Sequence, residues 1–439
     1  MKTARQITLD LLIRMDASGS YSNIILDNAF TAEKLGQRDK AFAAALFYGV
    51  LERRMTLDYL IRHYSSIEFD RMSPKVIQIM RMGFYQLLYM NSVPESAAVD
   101  ESVKLADYIG RGGAKSFINA VLRSFLRDEK EIDYKDLDKE GRLSIEYSCP
   151  KWLIKKWNRE LGEERTLGFL KASFGRPPIY AKVNTYKFTT DKAIQQLKAD
   201  GINAVKNKLL DDCIEISNTR SIDSCSAFRK GMFHVQDISS QLCCRIISPI
   251  FNETVVDLCA SPGGKTFTCA EIMQNRGKIY SYDLYDGKVD VIRSGARRLG
   301  LSIITASEND AQRFNPDIPQ ADKVICDVPC SGLGVIRRKP EIKYKPMKSL
   351  EEIPNTQRRI IDTASRYVKV GGTLIYSTCT ISRDENENVV EDFLKEHSEF
   401  VPIVVSTGTD VLKDSYMRTM LPSDTNGDGF FTATLRRIK

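Results

Sequence analysis

The chain has 439 residues, enough for about two to four domains with ample core, because single cores stop growing near roughly 250–300 residues. A hydrophobic share of 42% and a charged share of 28% exclude a disordered or fibrous chain, and no apolar run approaches the roughly 20 residues of a membrane span. The net charge of +7 is a mild sign of a polyanionic partner, and ten cysteines with no secretory start predict a reducing cytoplasm with free thiols.

Residues 1–127 read as all-helical. Ala4, Ile7, Leu11, Leu12 and Met15 recur at helical spacing, as do Ile118, Val121, Leu122 and Phe125, while 43–51 and 80–89 are apolar enough for central bundle helices. Between Asp128 and Arg142, 11 of 15 residues are charged, too few apolar groups to offset the entropy of ordering, so 128–144 is expected to be a solvated linker or exposed helix. Residues 145–235 mix small helices and strands: a helix around Trp152, Leu153 and Trp157, a strand at 178–184, a helix at 191–200, and strands at 203–205 and 214–216. That order predicts a small α+β domain of the ferredoxin-like (RRM-like) kind. His234, in an apolar setting at its end, reads as structural.

Residues 236–439 alternate strand and helix as a doubly wound Rossmann-type α/β sheet requires. Val255, Val256, Asp257 and Leu258 form a buried strand that runs into Cys259, Ala260, Ser261, Pro262, Gly263, Gly264 and Lys265. Paired glycines let the backbone approach a ligand, and the following helix start supplies N–H donors. Gly264-Lys265-Thr266 also fits the end of a phosphate loop, but that motif needs a glycine where Cys259 stands. A Rossmann crevice calls instead for a carboxylate about 20 residues on, and Asp283 ends the next strand. A helix is expected around Val289 to Leu299, strands at 302–305 and 321–327, a helix at about 355–368 and a strand at 373–377. Asp310 follows the third strand, where an adenine amino group would be read.

Two cysteines lie just past expected strand ends: Cys330, after Asp327-Val328-Pro329, and Cys379, in Ser377-Thr378-Cys379-Thr380. Open α/β sheets put their chemistry there. Free cysteine is more often a small buried hydrophobe, but these two sit in polar turns beside Asp327. The basic run Arg337, Arg338, Lys339, Lys343 and Lys345 follows, a solvated face or a phosphate contact. The cysteines lack C-x-x-C spacing and the histidines are His63, His234 and His397, so no metal site is expected.

Residues 257–265, Asp283, Asp310, 327–334, 377–380, 338–343 and 428–431 together resemble the motifs of the S-adenosylmethionine-dependent RNA 5-methylcytosine methyltransferases. The stretches 45–51, 84–88, 93–99 and 117–123 resemble the NusB-like RNA-binding module joined to some of them, so the likeness covers nearly the whole chain. It is greatest to the bacterial 16S rRNA cytosine-C5 type known as RsmB (Sun/Fmu). Lys288 stands where relatives often carry arginine. The resemblance implies S-adenosylmethionine as cofactor, held by the 259–265 turn at its methionine end, by Asp283 at the ribose, by Asp310 at the adenine and by Asp327. It implies Cys379 as nucleophile, Cys330 in product release and Asp327 as a charge-stabilising acid. An exchange of the two thiols' roles stays open, because DNA cytosine methyltransferases place their nucleophile in the Pro-Cys motif. The implied partner is RNA, either 16S rRNA or a small-subunit assembly intermediate, with the protein acting as a monomer. The alternatives are m5C formation in tRNA or at another rRNA site, methylation of a ring or exocyclic nitrogen, and a non-catalytic RNA-binding factor.

Overall fold

A computed structural model describes residues 2–18, 21–33, 35–217, 222–409 and 412–439. The chain divides into two compact units, one of residues 1–175 with 336–345, the other of 176–335 with 346–439.

The first unit is helical. Helices Ala4–Ser18, Gln37–Glu52, Pro74–Tyr89, Glu95–Tyr108 and Lys115–Arg127 bury their periodic apolar faces in one core. Phe84 meets Phe125 edge to face with ring centroids 5.1 Å apart, and Tyr64 packs on Phe125 at 5.4 Å. The buried Arg81 is neutralised by a two-pronged pair with Asp58, at 2.6 and 2.8 Å.

The charged stretch expected as a solvated linker or exposed helix ends in a helix, Lys139–Glu146, whose N-terminus is capped by Asp138 accepting from the Gly141 N–H at 2.7 Å. Its charges pair locally, Lys151 with Asp138 and Lys139 with Glu163, both at 2.7 Å, while Gly141 and Ser144 are buried. Helices Lys151–Leu161 and Glu163–Ala172, inside the expected 145–235 region, fall within the first compact unit, with Trp157 and Phe169 buried against each other.

The segment 336–345 also belongs there. Ser22 donates its N–H and hydroxyl to Glu341 at 2.9 and 3.0 Å, so an acidic side chain caps the helix Ser22–Ala32. Lys343 donates to the Glu52 carbonyl at 2.8 Å, and the Tyr344 hydroxyl lies 2.9 Å from Ser148 Oγ.

In the second unit, β1 (Ile179–Val183), β2 (Asn203–Lys206), β3 (Cys213–Ser217) and β4 (Phe233–Val235) form an antiparallel sheet in the order β2-β3-β1-β4. It is tied to the larger sheet's layer by a buried ion cluster: Lys182 pairs with Glu271 at 2.9 Å and Asp212 at 3.2 Å. His234 is buried, its Nε2 3.3 Å from Thr268 Oγ1.

The larger sheet comprises β5 (Thr254–Asp257), β6 (Lys278–Asp283), β7 (Ile304–Glu308), β8 (Ala321–Asp327), β9 (Val368–Thr378), β10 (Phe400–Pro402), β11 (Met417–Met420) and β12 (Phe430–Arg437). Its order is β10-β12-β9-β8-β5-β6-β7, with β11 paired to β12. Strands β9, β8, β5, β6 and β7 run parallel and β12 returns antiparallel. The chain winds outward from β5 through β6 and β7, then restarts on the other side at β8, so the switch point lies between β5 and β8. Ligand crevices of such sheets open there, at the strands' carboxyl ends.

Candidate active site

Each sequence-predicted residue of the second unit lies at or just beyond a strand's carboxyl end, and the turn after β5 is fixed from both sides. Leu258 donates to Ile325 O at 3.1 Å and Ala260 to Tyr282 O at 2.8 Å. Gly263 has φ +105, and a Cβ there would run into the Phe267 ring, so glycine is required twice over. Helix Gly264–Ile272 follows with no side-chain cap, leaving first-turn N–H groups without helical partners. Asp283 is buried at the end of β6, accepting the Ser261 N–H at 3.3 Å with the Lys288 ammonium 3.4 Å away. Asp310 lies beyond β7, where one oxygen accepts the Gln312 N–H at 3.0 Å and the other faces Arg313 at 3.5 Å.

Asp257, at the end of β5, is buried, with Oδ2 accepting from the Thr266 hydroxyl at 2.8 Å and Oδ1 without a partner among the described residues. Burial pushes its carboxyl up to about 7, against the pull of that hydroxyl. Because the folded-state value lies above the unfolded one, the stability Asp257 contributes is complete below about pH 4 and lost as pH rises through about 7. Asp257→Asn is therefore expected to raise the melting temperature of the cofactor-free protein by about 3 °C near pH 8.5 and by only about 1 °C near pH 5. Scanning fluorimetry giving equal shifts at both pH values would contradict this.

At the end of β8, Asp327 is held by two partners: Lys265 Nζ at 2.6 Å from Oδ2 and Ser377 Oγ at 2.8 Å from Oδ1. Burial weakens the Lys265 ammonium, but the Asp327 charge more than restores it and holds its pKa above the ordinary lysine value. Its Nζ also lies 4.9 Å from the Phe430 ring centroid.

The two thiols meet: Cys330 Sγ lies 3.2 Å from Cys379 Sγ. Cys379 follows directly from β9, whereas Cys330 stands three residues past β8 in an irregular loop. The Cys379 hydrogen bond, and then burial, push the Cys330 thiol well above its usual range, so Cys330 keeps its proton. The loops are laced together by the Gly334 N–H to Cys379 O at 3.0 Å and the Gly429 N–H to Gly334 O at 2.8 Å. A Cβ on Gly334 would lie on the Gly429 carbonyl.

Sequence reasoning missed Glu385, buried behind both loops, where it accepts from Ser331 and Gln357. It lies in the run Asp384-Glu385-Asn386-Glu387, which reads as a solvated helix start, and only its fixed distance after Cys379 could have drawn notice.

The basic run divides. Lys343, expected on RNA, is corrected: it is buried, its ammonium is held by the Glu52 carbonyl, and burial lowers its pKa to about 8. Lys339 and Lys345 place their ammonium groups 4.4 and 5.5 Å from the Tyr21 ring centroid. Arg337 and Arg338 are half-buried in the same segment. Among the described residues, no group of three or more His, Cys, Asp or Glu could hold a metal ion, and no helix is long and apolar enough to cross a membrane.

Comparison with known proteins assigns every layer of this architecture. Residues 2–127 match the NusB family, 149–223 the Methyltr_RsmF/B-like ferredoxin-like domain, and 244–436 the 16S rRNA methyltransferase RsmB/F family. The fold and site thus define a methyltransferase preceded by a helical and a ferredoxin-like domain. The Probable ribosomal RNA small subunit methyltransferase B of Bacillus subtilis is 35% identical, covering 99% of each chain, and that of Synechocystis sp. is 31% identical over 100% of each. The chain belongs to this RsmB/F methyltransferase family. The crystal structure of PH0851 superimposes with a TM-score of 0.82 at 26% identity, covering 100% of this chain and 99% of the other. NSun6 from Pyrococcus horikoshii, solved with SFG, shares the fold with a TM-score of 0.59 at 22% identity over 66% of this chain and 98% of its own.

Proposed function

We propose that the protein methylates C5 of a cytosine in 16S rRNA, with S-adenosylmethionine as donor, through a covalent adduct between Cys379 and C6. The observation that carries this reading is the 3.2 Å approach of the Cys330 and Cys379 sulfurs beyond the ends of β8 and β9, beside the Asp327–Lys265 pair. The substrate class follows the names of the B. subtilis and Synechocystis relatives.

The residues after β5 fit the donor. The helix Gly264–Ile272 starts with uncapped N–H groups, the buried Asp257 Oδ1 lacks a partner among the described residues, and Asp283 offers a carboxylate one strand over. In this reading residues 259–265 and Asp257 hold the methionine end, Asp283 the ribose and Asp310 the adenine. When bound, the donor supplies an electrophilic methyl group.

Cytosine C5 is too weak a nucleophile to take that methyl unaided. The Cys379 thiolate adds to C6, pushing electron density onto C5 and N3. Asp327, sharing a proton with N3, stabilises the charge that builds there, and Lys265 Nζ, 2.6 Å from its Oδ2, holds the carboxyl in place. After methyl transfer the C5 proton must leave, the C5–C6 double bond re-forms, and the C6–S bond breaks with its electron pair on Cys379. Cys330, its sulfur 3.2 Å from that of Cys379, gives its thiol proton to the departing sulfur and receives the C5 proton in return. Both ring carbons are blocked inside a helix, so the target is an accessible loop nucleotide or a flipped base. Arg337, Arg338 and Lys339 are offered as phosphate contacts.

The test is methylation, by the purified protein, of total RNA from a strain lacking this gene, followed by mass-spectrometric mapping. The expected product is 5-methylcytosine in small-subunit RNA; a methyl group on a ring or exocyclic nitrogen overturns the reading.

A further inference from the structure

We propose that Glu385 is the positioning residue of the two-thiol site: it holds the Cys330 loop against the Cys379 loop and thereby sets the release step. The inference rests on the covalent reading above. Both carboxylate oxygens of Glu385 are used. Oε2 accepts the Ser331 N–H at 2.8 Å and the Gln357 amide at 3.2 Å. Oε1 accepts the Ser331 hydroxyl at 2.5 Å and the Thr380 hydroxyl at 3.4 Å. Ser331 follows Cys330 and Thr380 follows Cys379, so one side chain bridges the residues next to both sulfurs, and the two hydroxyls lie 2.9 Å apart.

The grip is unequal. Cys379 leaves a strand whose last residue, Thr378, pairs with Phe431, so the sheet places it. The Cys330 loop has no strand partner at that point, and it takes the two shorter bonds from Glu385. Losing Glu385 should therefore move Cys330 first and leave the nucleophile in place. Glu385 is itself anchored: Tyr376, on β9, donates its hydroxyl to the Glu385 carbonyl at 2.6 Å, and the neighbouring Asn386 donates to Thr380 O at 3.0 Å. Behind the Cys379 hydrogen bond and burial, the Glu385 charge also favours the protonated Cys330 that release requires.

Glutamine can keep the bridge. Its oxygen can replace Oε2, and its amide can face the Ser331 and Thr380 hydroxyls, which rotate to accept. Glu385→Ala cannot. Glu385→Ala is expected to lower turnover about 100-fold, with the KM for RNA and the affinity for S-adenosylhomocysteine within about threefold of wild type. It should also accumulate a protein–RNA adduct on denaturing gels. Glu385→Gln is expected to stay within about tenfold of wild-type turnover. Should Glu385→Ala not fold, the double variant Ser331→Ala, Thr380→Val keeps the Oε2 contacts while removing those of Oε1, the bond between the two hydroxyls and the Ser382 N–H bond to Thr380 Oγ1, and is expected to lose about tenfold in turnover, with adduct visible.

Wild-type turnover in either disruptive variant, or a loss confined to KM, overturns the proposal. Cys330→Ala run in parallel separates the two readings. Adduct with Cys330→Ala but none with Glu385→Ala defeats the role of Glu385 alone, whereas no adduct with Cys330→Ala defeats the covalent release scheme beneath it.

Discussion

Cys379→Ser protein is expected to lose methyl transfer by about four orders of magnitude or more, because without the sulfur nucleophile C5 never becomes enamine-like. Cofactor binding should survive, since Cys379 lies beyond β9 while the turn after β5 and the Asp283 carboxylate are fixed by backbone bonds of their own. Transfer of a labelled methyl group to RNA, with calorimetric titration of S-adenosylhomocysteine on the same sample, checks both halves. Retained methylation would reassign the nucleophile, and Cys330, 3.2 Å away, is the residue that would inherit the role.

The second large effect is a change of product rather than a loss. Cys330→Ala should still attack and methylate, because Cys379, Asp327 and Lys265 are untouched, but it lacks the adjacent group that protonates the departing sulfur. A stoichiometric protein–RNA adduct should then persist through denaturation, with multiple turnover lower by about 100-fold or more. A band running as free protein, at an unchanged rate, would remove Cys330 from the release step.

The five parallel strands of the larger sheet were legible because each holds a short apolar run closed by a polar or glycine turn, as in Val255 to Leu258 before Cys259, whereas β10, β11 and β12 were not anticipated. Boundaries moved by two or three residues: the strand expected at 302–305 is Ile304–Glu308, and the helix expected at 355–368 is Ile353–Ser365. What local pattern could not reveal was how distant segments meet. Trp157 marked a helix but not its partner Phe169 within the helical unit. Lys343 looked like one more solvated charge, since nothing in its neighbours announces the Glu52 carbonyl 291 positions earlier that accepts its hydrogen bond. Glu385 was hidden for the same reason: a buried carboxylate and a surface one are spelled alike, and only the folded loops of Ser331 and Thr380 tell them apart.

The polypeptide passes between the two units three times, after Gly175, Val335 and Lys345. Cutting at Gly175 would therefore not yield a clean catalytic fragment. Such a product would still carry 336–345, now stripped of Ser22, Glu52 and Ser148, with Ile342 laid bare and Lys343 returned to water. It should be sticky and prone to aggregate, and anyone wishing to graft this methyltransferase half onto another helical unit would have to redesign that strap as well.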